Sequence, residues 1–345
     1  MTPIDTPTGP GAHAAAQVLD AIEARRGERR RFLAYAGGAV AAGSGLSLLG
    51  ACGKDGTSNA VATPTPTATP TATSGVSDID VFNFALNLEY LEAQFYSFAA
   101  FGVGLSAALL TGIGTQGAVT GGAAVAFSDP LVAKYAREIA ADEINHVTFI
   151  RSLLNNGSSV IAAVAMPAIN IDGTAATGAF SLAAQAAGIA AVDGTFNPYA
   201  SDANFLLAAF LLEDVGVTAY KGASPLLTNK TYLSQAAGLL AVESYHAGLV
   251  RSILYRKGIE QTATLLASAQ KLSDARDTLD GTGDDDQGVG DATAANITPT
   301  DASGLTYSRS PGQVLNIAYL SRVQATKGGF FPAGVNGNLF TSAAS

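Results

Sequence analysis

Apolar residues recur at helical spacing along most of residues 77–279, and the breaks between the runs carry helix-capping residues. Ser77 or Asp78 opens a first helix that runs to Ala100. A Gly-rich connection through Gly121-Gly122 leads to a second, opened by Ser128-Asp129-Pro130 and closed near Asn156-Gly157. Residues 157–200 are dominated by Ala, Gly, Thr and Asn, with a short helix predicted around Leu182 to Ile189. A third long helix starts at Ser201-Asp202 and ends before Pro225. A fourth covers Thr231 to Lys257 and is expected to stop at Gly258. Another amphipathic stretch, Thr262 to Leu279, is expected to pack outside the other four. After it, Ser308-Arg309-Ser310-Pro311 opens a segment with apolar positions at Val314, Leu315, Ile317, Ala318 and Leu320, read as a Ser-capped helix. The pattern is all-α.

Polar residues inside these apolar helices carry the candidate chemistry. The chain has three histidines, and two sit in one repeated motif. Glu143-Ile144-Asn145-His146 runs on to Arg151, and Glu243-Ser244-Tyr245-His246 runs on to Arg251. Acids are 28 of 345 residues, so chance places a Glu three before both histidines less than ~1% of the time. Residues i and i+3 share a helix face, so each motif puts a carboxylate beside an imidazole, which is half of a dinuclear metal site. A buried Glu–His pair needing no metal is the plainer alternative.

The other two helices weigh against that alternative. Glu89 is followed seven residues later by Tyr96, and Glu213 by Tyr220; seven residues is two turns, so each pair shares a face. The order is Glu…Tyr, Glu-x-x-His, Glu…Tyr, Glu-x-x-His, a duplicated helical hairpin. Glu92 lies one turn from Glu89 and competes with it. The tyrosine spacing favours Glu89, and leaves Glu92 beside the ligands or in solvent.

One Glu from each of two helices plus Glu-x-x-His from two others resembles the ligand set of ferritin-like di-iron and di-manganese carboxylate proteins. The resemblance spans residues 79–258 and implies Glu89, Glu143, His146, Glu213, Glu243 and His246 as metal ligands. Beyond the helices, Gly328-Gly329-Phe330-Phe331-Pro332-Ala333-Gly334-Val335-Asn336-Gly337-Asn338-Leu339 is similar to the ending of the desiccation-related ferritin-like proteins of bacteria and plants. The resemblance implies a four-helix bundle with residues 157–200 as its long crossover. It also implies two iron ions, with manganese the alternative and zinc able to substitute, and Glu143 and Glu243 as bridges between them. Tyr96 and Tyr220 then donate hydrogen bonds to ligands or pass electrons, or are ordinary core tyrosines. Arg151 and Arg251 are expected to pair with acids at the bundle end. Four carboxylates in an apolar interior repel one another and resist burial, and two divalent cations would balance them.

Composition changes this picture mainly at the N-terminus. Hydrophobic residues are 48% of the chain against 14% charged, ample for a buried core. Arg29-Arg30-Arg31-Phe32-Leu33 fits a twin-arginine export signal, and Ala34 to Ala51 is its apolar stretch. Leu49-Gly50-Ala51-Cys52 reads as a lipobox, with Cys52 the lipid-attachment residue; an uncleaved anchor or ordinary cleavage with Cys52 incidental are the alternatives. Cys52 is the chain's one cysteine, so no intrachain disulfide forms. The organisation read is 1–51 signal peptide, 52–78 Thr/Pro linker, 79–260 bundle and 261–345 extension. Location is then periplasmic or cell-envelope, with the membrane touched through the lipid alone.

Removing residues 1–51 takes five arginines and four acids from the 19 basic and 28 acidic residues, leaving a net charge of −10. So acidic a chain is a poor match for nucleic acid. Asp280 to Asp286 lacks EF-hand spacing and reads as a solvated acidic turn. Three functions fit the residues: a di-iron site oxidising Fe(II) or reducing oxygen or peroxide, a dimanganese peroxide-disproportionating site, and an inert metal-stabilised bundle protecting the envelope.

Overall fold

A computed structural model of the chain describes residues 75–344 apart from 156–161, 282 and 284. The twin-arginine motif, Cys52 and nearly all of the Thr/Pro linker lie outside the described residues. Seven α-helices follow in order: α1 (Asp78–Phe101), α2 (Pro130–Asn155), α3 (Ala179–Ala186), α4 (Asp202–Ala223), α5 (Lys230–Glu260), α6 (Thr264–Asp280) and α7 (Pro311–Tyr319).

The predicted caps set most of the boundaries. Ser77 and Asp80 form a capping box at the start of α1, and Gly102 ends it in the left-handed conformation. The Ser201 side chain caps α4, and Ser310 with Gln313 forms a second capping box on α7. Two helices differ: α3 begins and ends three residues before the predicted Leu182 to Ile189, and α5 runs past its predicted stop. α5 continues through Gly258 to Glu260, because Leu266 packs where a side chain on Gly258 would stand. That glycine allows close helix packing and is not a stop signal.

α1 with α2, and α4 with α5, form two helical hairpins that make the bundle. α2 is amphipathic, burying Val132, Ala136, Ile139, Glu143, His146 and Ile150 on one face. α1 and α4 are buried on nearly all sides, and 89% of the α4 region is buried although it is long and apolar enough to cross a membrane. The C-terminal residues supply the extra cover: α6 and α7 pack on α4, and Phe330 and Phe331 are buried.

The crossover is more ordered than its composition indicates. Two three-residue strands, β1 (Val119–Gly121) and β2 (Ile169–Ile171), pair in parallel, which the sequence reading missed. Asn83 of α1 donates to the Ala162 carbonyl and accepts from Val164 N–H. The tail is tied to the same helix. Asn87 donates to the Asn336 carbonyl at 2.8 Å and accepts from Asn336 N–H at 3.0 Å.

The acidic run at 280–286 is not a solvated turn. Asp280 and Asp286 are buried against arginines. Arg309 Nε lies 2.5 Å from Asp280, its terminal nitrogen bonds Asp286, and Arg276 lies 2.7 Å from Asp286. Arg276 also reaches Asp214 of α4 at 2.9 Å, joining the extension to the bundle.

Candidate metal centre

Helical spacing brings every carboxylate and imidazole of the repeated motifs into the interior between the two hairpins. Glu89, Glu143, Glu213 and Glu243 are 0–1% exposed, and His146 and His246 are 7% and 4% exposed. His146 Nδ1 lies 3.2 Å from Glu89, 3.4 Å from Glu243 and 3.5 Å from Glu143. His246 Nδ1 lies 3.0 Å from Glu143 and 3.6 Å from Glu213. The two rings stack at 6.0 Å.

Three sets of donor atoms lie within 4.8 Å of one another: Glu89, Glu143, His146 and Glu243; Glu143, Glu213 and His246; and Glu92, Glu213 and Glu243. Glu143, Glu213 and Glu243 each belong to two sets. Glu92 is therefore neither in solvent nor excluded by Glu89; it is 5% exposed and faces the same centre from one turn further along α1. The buried carboxylates of this cluster number five.

The two tyrosines cross between the hairpins. Tyr96 of α1 donates to Glu213 Oε1 at 2.5 Å, and Tyr220 of α4 donates to Glu89 Oε1. Both hydroxyls are fully buried, and burial together with these carboxylates raises their pKa well above the usual value, so they stay protonated donors. Each hydroxyl is thus satisfied by a carboxylate of the candidate ligand set.

The two arginines also act across each hairpin. Arg251 pairs with Asp214, the residue after Glu213, at 2.7 Å. Arg151 donates to the hydroxyl of Tyr90, the residue after Glu89, at 2.6 Å. The expectation of acid partners thus holds for Arg251 and fails for Arg151 among the described residues, because the position matching Asp214 is a tyrosine.

One contact was absent from the sequence reading. Asp142 Oδ2 lies 3.2 Å from His246 Nε2, with its side chain 42% exposed. A carboxylate there accepts a hydrogen bond from Nε2–H and holds the ring with Nδ1 toward Glu143 and Glu213, where a metal ion would replace the Nδ1 proton. The signal was an acid directly before Glu143 where the second motif has Val242.

Protonation shows how the cluster balances its own charge. Burial, then the Glu143 charge, pushes Glu89 up to about 8. Burial also raises Glu92, Glu213 and Glu243. Glu143 is the exception: burial acts upward, but the pull of His146 and His246 outweighs it and holds the carboxyl at about 2. His246 is raised to about 10, because Glu213 and Glu143 outweigh burial, and His146 is raised in the same way by Glu89.

The donor set fits a metal. Both oxygens of Glu143, both of Glu243, Glu213 Oε2 and His246 Nδ1 are buried without a hydrogen-bond partner. Buried polar atoms are rarely left so, and here six converge from four candidate ligands. Metal bonds of about 2 Å place donors up to ~4 Å apart, which these separations approach. Oxygen-rich donors with imidazole suit iron or manganese.

Comparison with known proteins agrees with this geometry. The ferritin-like domain family matches residues 77–256. Ferritin-like catalase Nec2 of Nesocodon mauritianus is 30% identical over 281 residues, covering 77% of this chain and 86% of its own. Desiccation-related protein PCC13-62 of Craterostigma plantagineum is 28% identical over 273 residues, covering 76% and 83%. No solved structure matches. With the duplicated hairpin and the convergent Glu and His set, these similarities show that this chain belongs to the ferritin-like, desiccation-related family.

Proposed function

We propose that the cluster is a dinuclear iron or manganese centre that acts on hydrogen peroxide, converting two peroxides to two waters and one dioxygen. The observation that carries the metal assignment is the pair of overlapping donor sets sharing Glu143. Glu89, Glu143, His146 and Glu243 would hold one ion, and Glu143, Glu213, His246, Glu243 and Glu92 the other. Bound there, the metal pair would supply the two-electron store for oxidising one peroxide and cleaving the O–O bond of the other. The chain's own residues set the conditions. Tyr96 and Tyr220 fix the orientation of Glu213 and Glu89, Asp142 fixes the His246 tautomer, and the apolar faces of α1 and α4 keep bulk water out.

The similarity to a ferritin-like catalase favours peroxide as substrate. Oxidation of ferrous ion by dioxygen is the second reading, favoured by Asp142, an acid at the surface 3.2 Å from His246 where a cation can approach. Protein from its natural host should release one dioxygen per two peroxides in an oxygen electrode. Dioxygen uptake with ferrous ion, and none released from peroxide, supports the second reading; a loaded but inert centre would sink both.

The proposal extends to location. Arg29-Arg30 and the Leu49 to Cys52 motif support twin-arginine export of the folded domain and tethering through a lipid on Cys52, in envelope stress protection. Changing Arg29 and Arg30 to Lys should leave precursor in the cytoplasm, and Cys52→Ala should leave the chain without lipid. Export of the arginine variant would contradict this.

A further inference from the structure

The two hairpins repeat closely, so the places where the repeat breaks are informative. Glu92 stands three residues after Glu89 on α1; the matching position on α4, three after Glu213, is Gly216. Glycine is a poor residue for the middle of a helix, and its backbone here is ordinary α-helix. Its missing Cβ makes room for the Glu243 carboxylate, which lies against the bare backbone. A Cβ on Gly216 would collide with Glu243 Oε2 and stand 3.4 Å from Glu92 Oε1.

Glu92 and Gly216 also line a cavity of about 30 Å³ beside α1 and α4. Ile317 and Ala318 of α7 line it together with Phe330, and the remaining lining is aliphatic. The volume suits a single small molecule or one large atom. Glu92 is its one charged group, so peroxide or water inside would forgo most of its hydrogen bonds. A small non-polar molecule loses nothing there. At His246 the centre has the reverse character, with half-exposed Asp142 beside the ring.

We propose that this cavity is a chamber for dioxygen at the Glu92 and Glu213 side of the centre, with Gly216 and Ala318 setting its size. This rests on the peroxide reading above. There, peroxide arrives on the Asp142 side; one molecule gives up two electrons and two protons and leaves as dioxygen through the chamber, while the other takes them up and leaves as two waters. If dioxygen is instead the oxidant of ferrous ion, the same chamber admits it.

Xenon, a non-polar probe, tests the chamber without any turnover. Crystals of the full chain under xenon pressure should show an atom in the cavity. Ala318→Leu should remove it and Ile317→Ala should raise its occupancy, with metal content unchanged in both. Should the Leu variant fail to fold, Ile317→Ala still decides the matter. In the oxygen electrode, Ala318→Leu should slow dioxygen release from peroxide roughly tenfold if dioxygen is the product, or slow uptake with ferrous ion if it is the substrate. A metal-loaded chain with no xenon in wild type or Ile317→Ala, or a metal-loaded Ala318→Leu protein at full rate in both assays, would overturn the proposal. Xenon in a chain that takes up no metal would overturn the metal reading instead and leave the cavity a packing gap.

Discussion

Glu92 decides how many charges the centre must balance. Spacing assigned Glu89, Glu143, His146, Glu213, Glu243 and His246 because each sits in a motif that occurs twice. Glu92 has no counterpart, since Gly216 takes its place, so a repeat-based reading leaves it out. Asp142 escaped for a related reason: it is adjacent to Glu143 in sequence, points to another side of α2, and meets His246 only across the bundle. Burial already favours the protonated form of Glu92, so Glu92→Gln should leave the metal-free melting temperature at pH 6 nearly unchanged. If Glu92 is a ligand, the same change should weaken metal binding by roughly tenfold or more, as measured by competition with a chelator. Unaltered affinity would return Glu92 to a supporting role.

At the level of elements, caps and periodicity located the seven helices of the described residues, because Ser77, Ser201 and Ser310 act locally. What was not legible depends on partners distant in the chain. Asp280 and Asp286 look solvated until Arg276 and Arg309, from α6 and the approach to α7, are folded against them. The paired strands at 119–121 and 169–171 are too short to leave a pattern. The same helices carry the pH dependence. In metal-free protein Glu89 is raised from 4.5 to about 8, so the native state holds a proton that the unfolded chain releases, and stability falls as pH rises through this window. His246, raised from 6.5 to about 10, contributes stability present below 6.5 and lost as pH rises through 10, which is the same sign. Glu143 has the opposite sign, but its contribution is lost only as pH falls from 4.5 toward 2. Scanning calorimetry from about pH 5 to pH 9 should therefore show the metal-free melting temperature dropping by several degrees or more, and the loaded protein changing far less. A metal-free protein whose melting temperature holds steady or climbs would mean that these groups do not share one site.

For the molecule as a whole, the C-terminal extension completes what the four helices begin. α1 and α4 are too apolar to face water on the side away from α2 and α5, and α6, α7 and Phe330 cover them while Arg251, Arg276 and Arg309 lock the cover to Asp214, Asp280 and Asp286. That cover keeps five carboxylates and two imidazoles in an interior where only protons or metal ions can balance them. The direct test is elemental analysis of protein isolated from its natural host, wild type beside the His146→Ala, His246→Ala double variant. A dinuclear centre predicts about two iron or manganese ions per chain in the wild type and well under one in the variant. The same metal content in both proteins would contradict it.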